Sequence, residues 1–297
     1  MKGNRLFSRR FGYMLIFPSA IVFLIVSIYP LLTGIMLSFQ NSSLYKGDEK
    51  KFVGLKNIIT ILTSDAEFRS DLLFTVIYTI GIVVIAYITG LVFSLLLNTD
   101  VPCRTLFRVL ILIPWVISPA VSSMSWSWSW LLSDQYGFFN NFLKSIGVID
   151  KSILFLADKT LAKIMVIIIG AWRNFPFITV SLLAGLQGIS KDYYEAADID
   201  GANKFQRFRY VTFPHLKNVS IITITLVSIW TFNNFDNIYM LTKGGPAQST
   251  EVLSILAYNN AFFRGNISYA SAMATVMLVI MLIASGVYFK VSKYGKE

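Results

Sequence analysis

Long apolar runs alternate with polar connections along the whole chain. A helix needs about 20 residues to cross the hydrocarbon layer. Six runs reach that length: 12–39, 72–97, 106–132, 161–186, 216–240 and 269–289. Backbone polar groups in lipid must be satisfied within their own segment, so each run reads as a helix. The first run is longer than the 7–15 apolar residues of a signal peptide and lacks a clean small-residue cleavage site, so it reads as an uncleaved span. Pro114 and Pro119 predict a kink in the third. The connection from Ser133 to Lys159 carries Gly137, Gly147 and several aromatics, and is expected to hold one short interfacial helix.

The polar interruption with the clearest helix signals runs from Ser190 to Pro214. Ser190 suits an N-cap, and Asp192 suits the positive end of a helix dipole. Gly201 can close that helix in the left-handed conformation. A second short helix is expected over about Asn203 to Thr212, stopped by Pro214. Two short helices meeting at a glycine form a compact knob between the fourth and fifth spans.

Composition supports the membrane reading. The 297 residues are 55% apolar and only 14% charged, with a mean hydropathy of +0.62. Soluble domains carry about 25% charge. A net charge of +10 would suggest nucleic acid in a soluble protein. Here the basic residues flank apolar spans, so they set topology instead. With the N-terminus inside, the inner segments hold fourteen basic residues against six acids. The outer ones hold eleven against ten, and Arg173 inside span four completes the 26. Both termini and the knob are therefore expected in the cytoplasm, although Lys50, Lys51 and Lys56 oppose the bias. Single Cys103 and single His215 exclude an intramolecular disulfide, a cysteine metal cluster and a multi-histidine site. No metal site is expected. No Gly-x-x-x-x-Gly-Lys-Ser/Thr loop occurs, so ATP should not be bound by that route.

With the knob placed at the inner face, its residues resemble a known motif. Glu195-Ala196-Ala197, Asp200-Gly201-Ala202 and Phe213-Pro214 are similar to the EAA loop of importer-type ABC transporter permeases. Phe235-Asp236-Asn237 through Thr242-x-Gly244-Gly245-Pro246 resembles the signature after span five of carbohydrate permeases of the maltose-permease-like type. Gly265 with Tyr269-Ala270-Ser271-Ala272, and Phe52-Val53-Gly54-Leu55-Lys56-Asn57, also match. The resemblance runs from about Phe11 to the C-terminus. It implies an all-α integral membrane protein in the bacterial cytoplasmic membrane, with six transmembrane helices in the type I ABC importer (MetI-like) permease fold. That is one permease domain over 1–297, with a coupling loop at 188–215. The family pairs such a chain with a second homologous permease, two ATPase subunits that hold the ATP and Mg, and an extracytoplasmic solute-binding protein. No cofactor is implied for this chain, nor any enzymatic activity of its own. The long extra outer domain of the maltose-type permease is absent here, which leaves open any binding-protein contact made through it.

For the knob, the resemblance implies ATPase coupling by Tyr194, Glu195, Ala196, Ala197, Asp198, Asp200 and Gly201. Tyr194, Ala197, Asp198 and Gly201 fall at i, i+3, i+4 and i+7, on one helix face. The bland alternative is a solvated turn with no partner. For the solute, maltose-type relatives imply a site against spans four to six. The matching residues are Arg173, Asn174 and Phe177 in span four, and Trp230, Thr231 and Asn234 in span five. Polar residues inside spans are costly and default to functional readings; amides suit sugar hydroxyls and aromatic faces suit sugar rings. The competing reading has the amides tying helices together. Arg173 stands where the maltose-type pattern is small or apolar. It can hold an anionic solute by a bidentate fork, or pair with Asp236 or with an acid on the partner permease.

The expected function is uptake of a carbohydrate, an oligosaccharide that Arg173 would suit if acidic. The alternatives are a glycerol-3-phosphate-type permease of the same family and, from another class, an ion-coupled secondary transporter, which would need a mid-membrane acidic relay, whereas the spans hold almost no acidic residues. Trp126, Trp128 and Trp130 read as an aromatic belt, and lone His215 as structural.

Overall fold

The computed structural model describes residues 3–45, 51–100, 102–117 and 128–293. Five helices among them are long and apolar enough to cross a membrane: Phe11–Ser38, Ala66–Asn98, Lys159–Gln187, Lys204–Phe232 and Ile267–Gly286. The expected third span is described at 106–117 and 128–132, and residues 118–127, with Pro119 and Trp126, lie outside the described residues.

In chain order, α1 (Gly3–Phe23) passes through a wider π-type turn (Leu24–Ile28) into α2 (Tyr29–Ser38). Strands β1 (Gln40–Asn41) and β2 (Lys51–Phe52) pair antiparallel, Gln40 opposite Phe52. Then come α3 (Lys56–Thr63), α4 (Ala66–Asn98), α5 (Arg104–Val116), α6 (Phe138–Ser145) and α7 (Lys159–Gln187). The knob holds α8 (Lys191–Ile199) and α9 (Lys204–Arg207). After a π-type turn (Phe208–Thr212) follow α10 (Phe213–Phe232), α11 (Asp236–Leu241), α12 (Leu253–Tyr258) and α13 (Ile267–Lys293). The helix expected between Ser133 and Lys159 is α6. Its Asn140, 1% exposed, donates to Ser133 and Ile153 carbonyls and accepts from the Ile153 N–H, pinning the loop.

The chain forms two compact units. The first, Met1–Phe68 with Leu256–Ile280, is knitted by loop hydrogen bonds. Ser42 N–H donates to Ser268 Oγ (3.0 Å), Leu44 N–H to the Gly265 carbonyl (2.8 Å), and Tyr269 Oη to Asp65 (2.6 Å). Asn57 donates to the Ser38 and Gln40 carbonyls, which gives the Asn of the Phe52–Asn57 motif a structural role.

The second unit, Arg69–Ile255 with Met281–Glu297, holds the main core. Val83 and Ala86 of α4 pack on Ala171, Phe175, Ile178 and Leu182 of α7, with Leu216 and Val227 of α10. Without a hydrophobic driving force between helices in lipid, close approach at small residues does much of the packing. A Cβ on Gly170 would lie 2.3 Å from Ile82 Cδ1, so the Ile82 side chain of α4 packs directly on the backbone of α7 there. A second cluster joins Phe74, Tyr78 and Ile82 of α4 to Ile238 of α11 and to Val252 and Ile255. Fully buried Thr75 accepts the Leu253 N–H at 3.0 Å, fixing that last segment to α4.

Two expectations at the fifth span are corrected. Pro214 does not stop a helix: α9 continues into α10 through it. The Phe213 N–H reaches back to the Phe208 carbonyl, a widened turn that relieves the clash a proline ring makes with the preceding turn. The span also ends at Phe232 rather than at 240. Asn233 Nδ2 donates to the Ile229 carbonyl (3.0 Å), and Asn234 Oδ1 accepts the Asn237 N–H (3.2 Å). Short amide side chains that bond their own backbone compete with the helix ladder, and the chain breaks at 233–235 before α11.

Candidate functional site

The break between α10 and α11 opens one wall of a cavity of about 500 Å³. Arg173 and Asn174 of α7 face it from one side; Trp230, Thr231 and Asn234 face it from the end of α10 and the break. Five of the six residues expected at the solute site are thus brought together. Phe177 stands behind them. Its ring stacks on Trp115 (centroids 5.7 Å) and meets Trp230 edge-on (4.9 Å), so it wedges the two aromatics rather than lining the space.

Trp115, Asn233, Phe235 and Asp236 also line the cavity. Asn233 and Asp236 stand out in the sequence as polar residues inside an apolar run. Trp115 carries no such signal, because an aromatic in an apolar helix is ordinary and only the packing of α5 brings it here.

Arg173 Nη1 donates to Asn237 Oδ1 at 2.6 Å, across from α7 to α11. No carboxylate pairs with it among the described residues, so the Arg173–Asp236 ion pair does not form. A guanidinium carries five donors in a fixed fork, and its one bond to a neutral amide leaves most of that fork free beside the cavity, with Asp236 on the same lining but outside ion-pair distance. Asn174 Nδ2 donates to the Gly170 carbonyl one turn back (2.8 Å). Thr223, Thr225 and Ser228 of α10 each donate to the carbonyl four residues earlier. Thr231 does not. Its hydroxyl is shut from solvent without a partner among the described residues. The cavity is therefore polar on one rim and aromatic on the other. It can hold a ligand that offers many hydroxyl groups and flat apolar faces.

The knob forms as its local signals require. Ser190 Oγ accepts the Asp192 N–H, and Gly201 lies at φ +75°. Gly201 N–H bonds the Asp198 carbonyl (3.1 Å) and Ala202 N–H the Ala197 carbonyl (2.9 Å), a complete Schellman closure. Asn203 and Gln206 then form a reciprocal capping box that starts α9. The structure redistributes the face of Tyr194, Ala197, Asp198 and Gly201. Tyr194 Oη bonds Thr212 Oγ1 (3.1 Å), Asp198 pairs with Arg207 (2.8 Å), and Ala197 is half-buried. These side chains brace α8 against its own chain. Glu195, Ala196 and Asp200 remain exposed, with Ile199, which is 87% exposed. Ile199 carries no sequence signal as a contact residue. It stands out only because a large aliphatic side chain faces open space on a knob outside the spans.

Elsewhere, Trp128 is half-buried. It stacks on Phe139 (6.3 Å) and meets Trp172 edge-on (5.4 Å). His215 Nδ1 contacts the Val211 carbonyl one turn back (2.7 Å), in keeping with a structural part.

The family model described as "binding-protein-dependent transport system inner membrane component" matches residues 70–293. A probable ABC transporter permease protein of Brucella suis is 34% identical over 290 residues, covering 98% of this chain and 99% of the relative. The trehalose/maltose transport system permease protein MalF of Thermococcus litoralis is 35% identical over 288 residues, covering 97% and 95%. A chain of the bacterial alginate ABC transporter, solved in complex with an alginate pentasaccharide-bound periplasmic protein, has the same fold. Its TM-score is 0.80 at 20% identity, over 98% of each chain. The multi-pass helical chain with its polar helix break and capped knob therefore belongs to the family of binding-protein-dependent transport system inner membrane components, in the MetI-like permease fold.

Proposed function

We propose that this chain is one of two permease subunits of an ATP-driven importer for a carbohydrate, most simply an oligosaccharide. A solute-binding protein delivers the cargo on the outer face, and separate ATPase subunits engage the knob on the cytoplasmic face. The observation that carries the reading is the cavity at the α10–α11 break, where amides and indoles converge around Arg173. Support for a sugar comes from that chemistry and from the trehalose/maltose transport named for the Thermococcus litoralis relative. The chain itself has no nucleotide-binding loop, so ATP and Mg belong to the partner, and Glu195 with Ile199 is the surface offered to it.

Arg173 favours an acidic cargo. Its guanidinium reaches one neutral amide only, and a carboxylate or phosphate on the solute would take the remaining fork. The decisive experiment reconstitutes the chain with its co-purifying subunits and measures ATP-dependent uptake of neutral and uronate-containing oligosaccharides and of glycerol-3-phosphate. Asn234→Leu is expected to lower sugar uptake at least tenfold. Arg173→Gln is expected to lower acidic uptake about tenfold more than neutral uptake. Uptake that persists after ATP depletion, with the chain recovered alone, would overturn the importer reading. Equal loss of acidic and neutral uptake in Arg173→Gln would overturn the acidic cargo.

A further inference from the structure

A second cavity, of about 520 Å³, opens between α4, α5 and α7. Its lining is aliphatic and aromatic: Phe93 and Leu96 of α4, Phe107 and Leu110 of α5, and Trp172 and Phe175 of α7. Several of these keep large exposed areas; Leu96 is 55% exposed and Leu110 48%, so the groove is open to its surroundings rather than sealed.

Two cations stand at one end of it. Arg104 is the first residue of α5 and Arg108 lies one turn further in; with Phe107 and Ile111 they fall at i, i+3, i+4 and i+7 on one face. That end is shared with the last turn of α7, which leads directly into the knob. With the Gln187 amide turned so that its oxygen faces the arginines, it accepts from Arg104 Nη2 at 3.3 Å and from Arg108 Nη2 at 2.8 Å. One neutral oxygen thus serves two guanidinium groups. The Nε of each arginine is shut from solvent with no acceptor among the described residues. No carboxylate pairs with either one among those residues, nearby Asp100 included. Buried donors without partners call for an explanation, and an anion is the acceptor that two adjacent guanidinium groups suit.

We propose that this groove holds an anionic phospholipid, one acyl chain lying along Phe107, Leu110 and Trp172 and the phosphate seated on Arg104 and Arg108. Both halves of the site point to the same occupant. An apolar groove in a spanning segment takes an acyl chain, and paired guanidinium groups at the end of the span take a phosphate by forked hydrogen bonds. Basic pockets between spanning helices recognise such headgroups in this way. A soluble phosphate would use the arginines but leave the groove unfilled. A partner's helix would fill the groove but leave the arginines without an anion.

The test uses the full chain, purified with its accompanying subunits and incorporated into nanodiscs of phosphatidylcholine with phosphatidylglycerol. Retained lipid is counted by native mass spectrometry. Phosphatidylglycerol is expected to be enriched over phosphatidylcholine about thirtyfold, two charges each contributing about fivefold or more. Arg104→Gln/Arg108→Gln is expected to remove the enrichment. Arg104→Lys/Arg108→Lys keeps it within about threefold, and Gln187→Leu, which frees both guanidinium groups, keeps or raises it. Leu110→Trp fills the groove, leaves the arginines in place and lowers retention, which decides the matter should the double glutamine variant not assemble. Equal retention of the two lipids overturns the proposal. So does displacement by millimolar inorganic phosphate, or a photo-crosslinker at Leu110 that captures a polypeptide instead of lipid.

Discussion

Gly201 offers a prediction whose size follows from the structure. Its φ is +75°, and a Cβ built there meets nothing within 4 Å. Substitution therefore meets no clash; its cost is backbone strain alone. For an ordinary L-residue the left-handed conformation costs about 1–2 kcal/mol, while Asn adopts it more readily. A value near 1.4 kcal/mol is about tenfold in an equilibrium. The strain falls on the two Schellman bonds, Gly201 N–H to Asp198 and Ala202 N–H to Ala197, which hold the end of α8. Gly201→Asn is thus expected to lower ATP-dependent uptake about threefold and Gly201→Ala about tenfold. Gly201→Val should lower it further, and Gly201→Asp should abolish it by adding charge beside Asp198 and Asp200. Membrane insertion should be unchanged throughout, since no span is touched. The assay pairs uptake in reconstituted vesicles with the amount of inserted chain. The reasoning fails if Ala transports as well as Asn, or if the loss of uptake follows loss of insertion.

Three further outcomes test the packing. Thr75→Val should lower stability by about 1–3 kcal/mol, the cost of orphaning a buried N–H, because Thr75 accepts from Leu253; thermal denaturation and faster exchange at the Leu253 amide would report it. Gly170→Val should cost about 1–3 kcal/mol by overpacking, since its Cβ would sit 2.3 Å from Ile82; Ile82→Ala in the same chain should recover part of the loss, and no recovery would place the strain elsewhere. Asp158→Ala removes the acceptor for the Thr160 and Leu161 N–H groups at the start of α7 and should cost ~1 kcal/mol, read as a lowered Tm, whereas Asp158→Asn should recover most of it.

The sequence by itself determined the features that depend on neighbours along the chain. Apolar runs longer than a bilayer have to be helices, and five of them appear as spanning helices among the described residues. Ser190, Gly201 and the Asn203–Gln206 box set the knob, because a cap needs only residues within one turn of it. Asn174, Trp230 and Asn234 were singled out by the family resemblance together with the cost of polar groups in lipid, and they line one cavity. The tertiary structure decided what those rules leave free. Span five ends at Phe232 because the amides of Asn233 and Asn234 bond their own backbone, a choice that residue count does not reveal. Trp115 joins the cavity, Phe177 retreats behind it, and Tyr194 turns inward onto Thr212. Arg173 finds Asn237 rather than Asp236. The lining of the cavity and the partner of Arg173 depend on which faces of α5, α7, α10 and α11 meet. That is fixed by close packing between elements far apart in sequence, a quantity to which helical periodicity in a uniformly apolar run gives no guide.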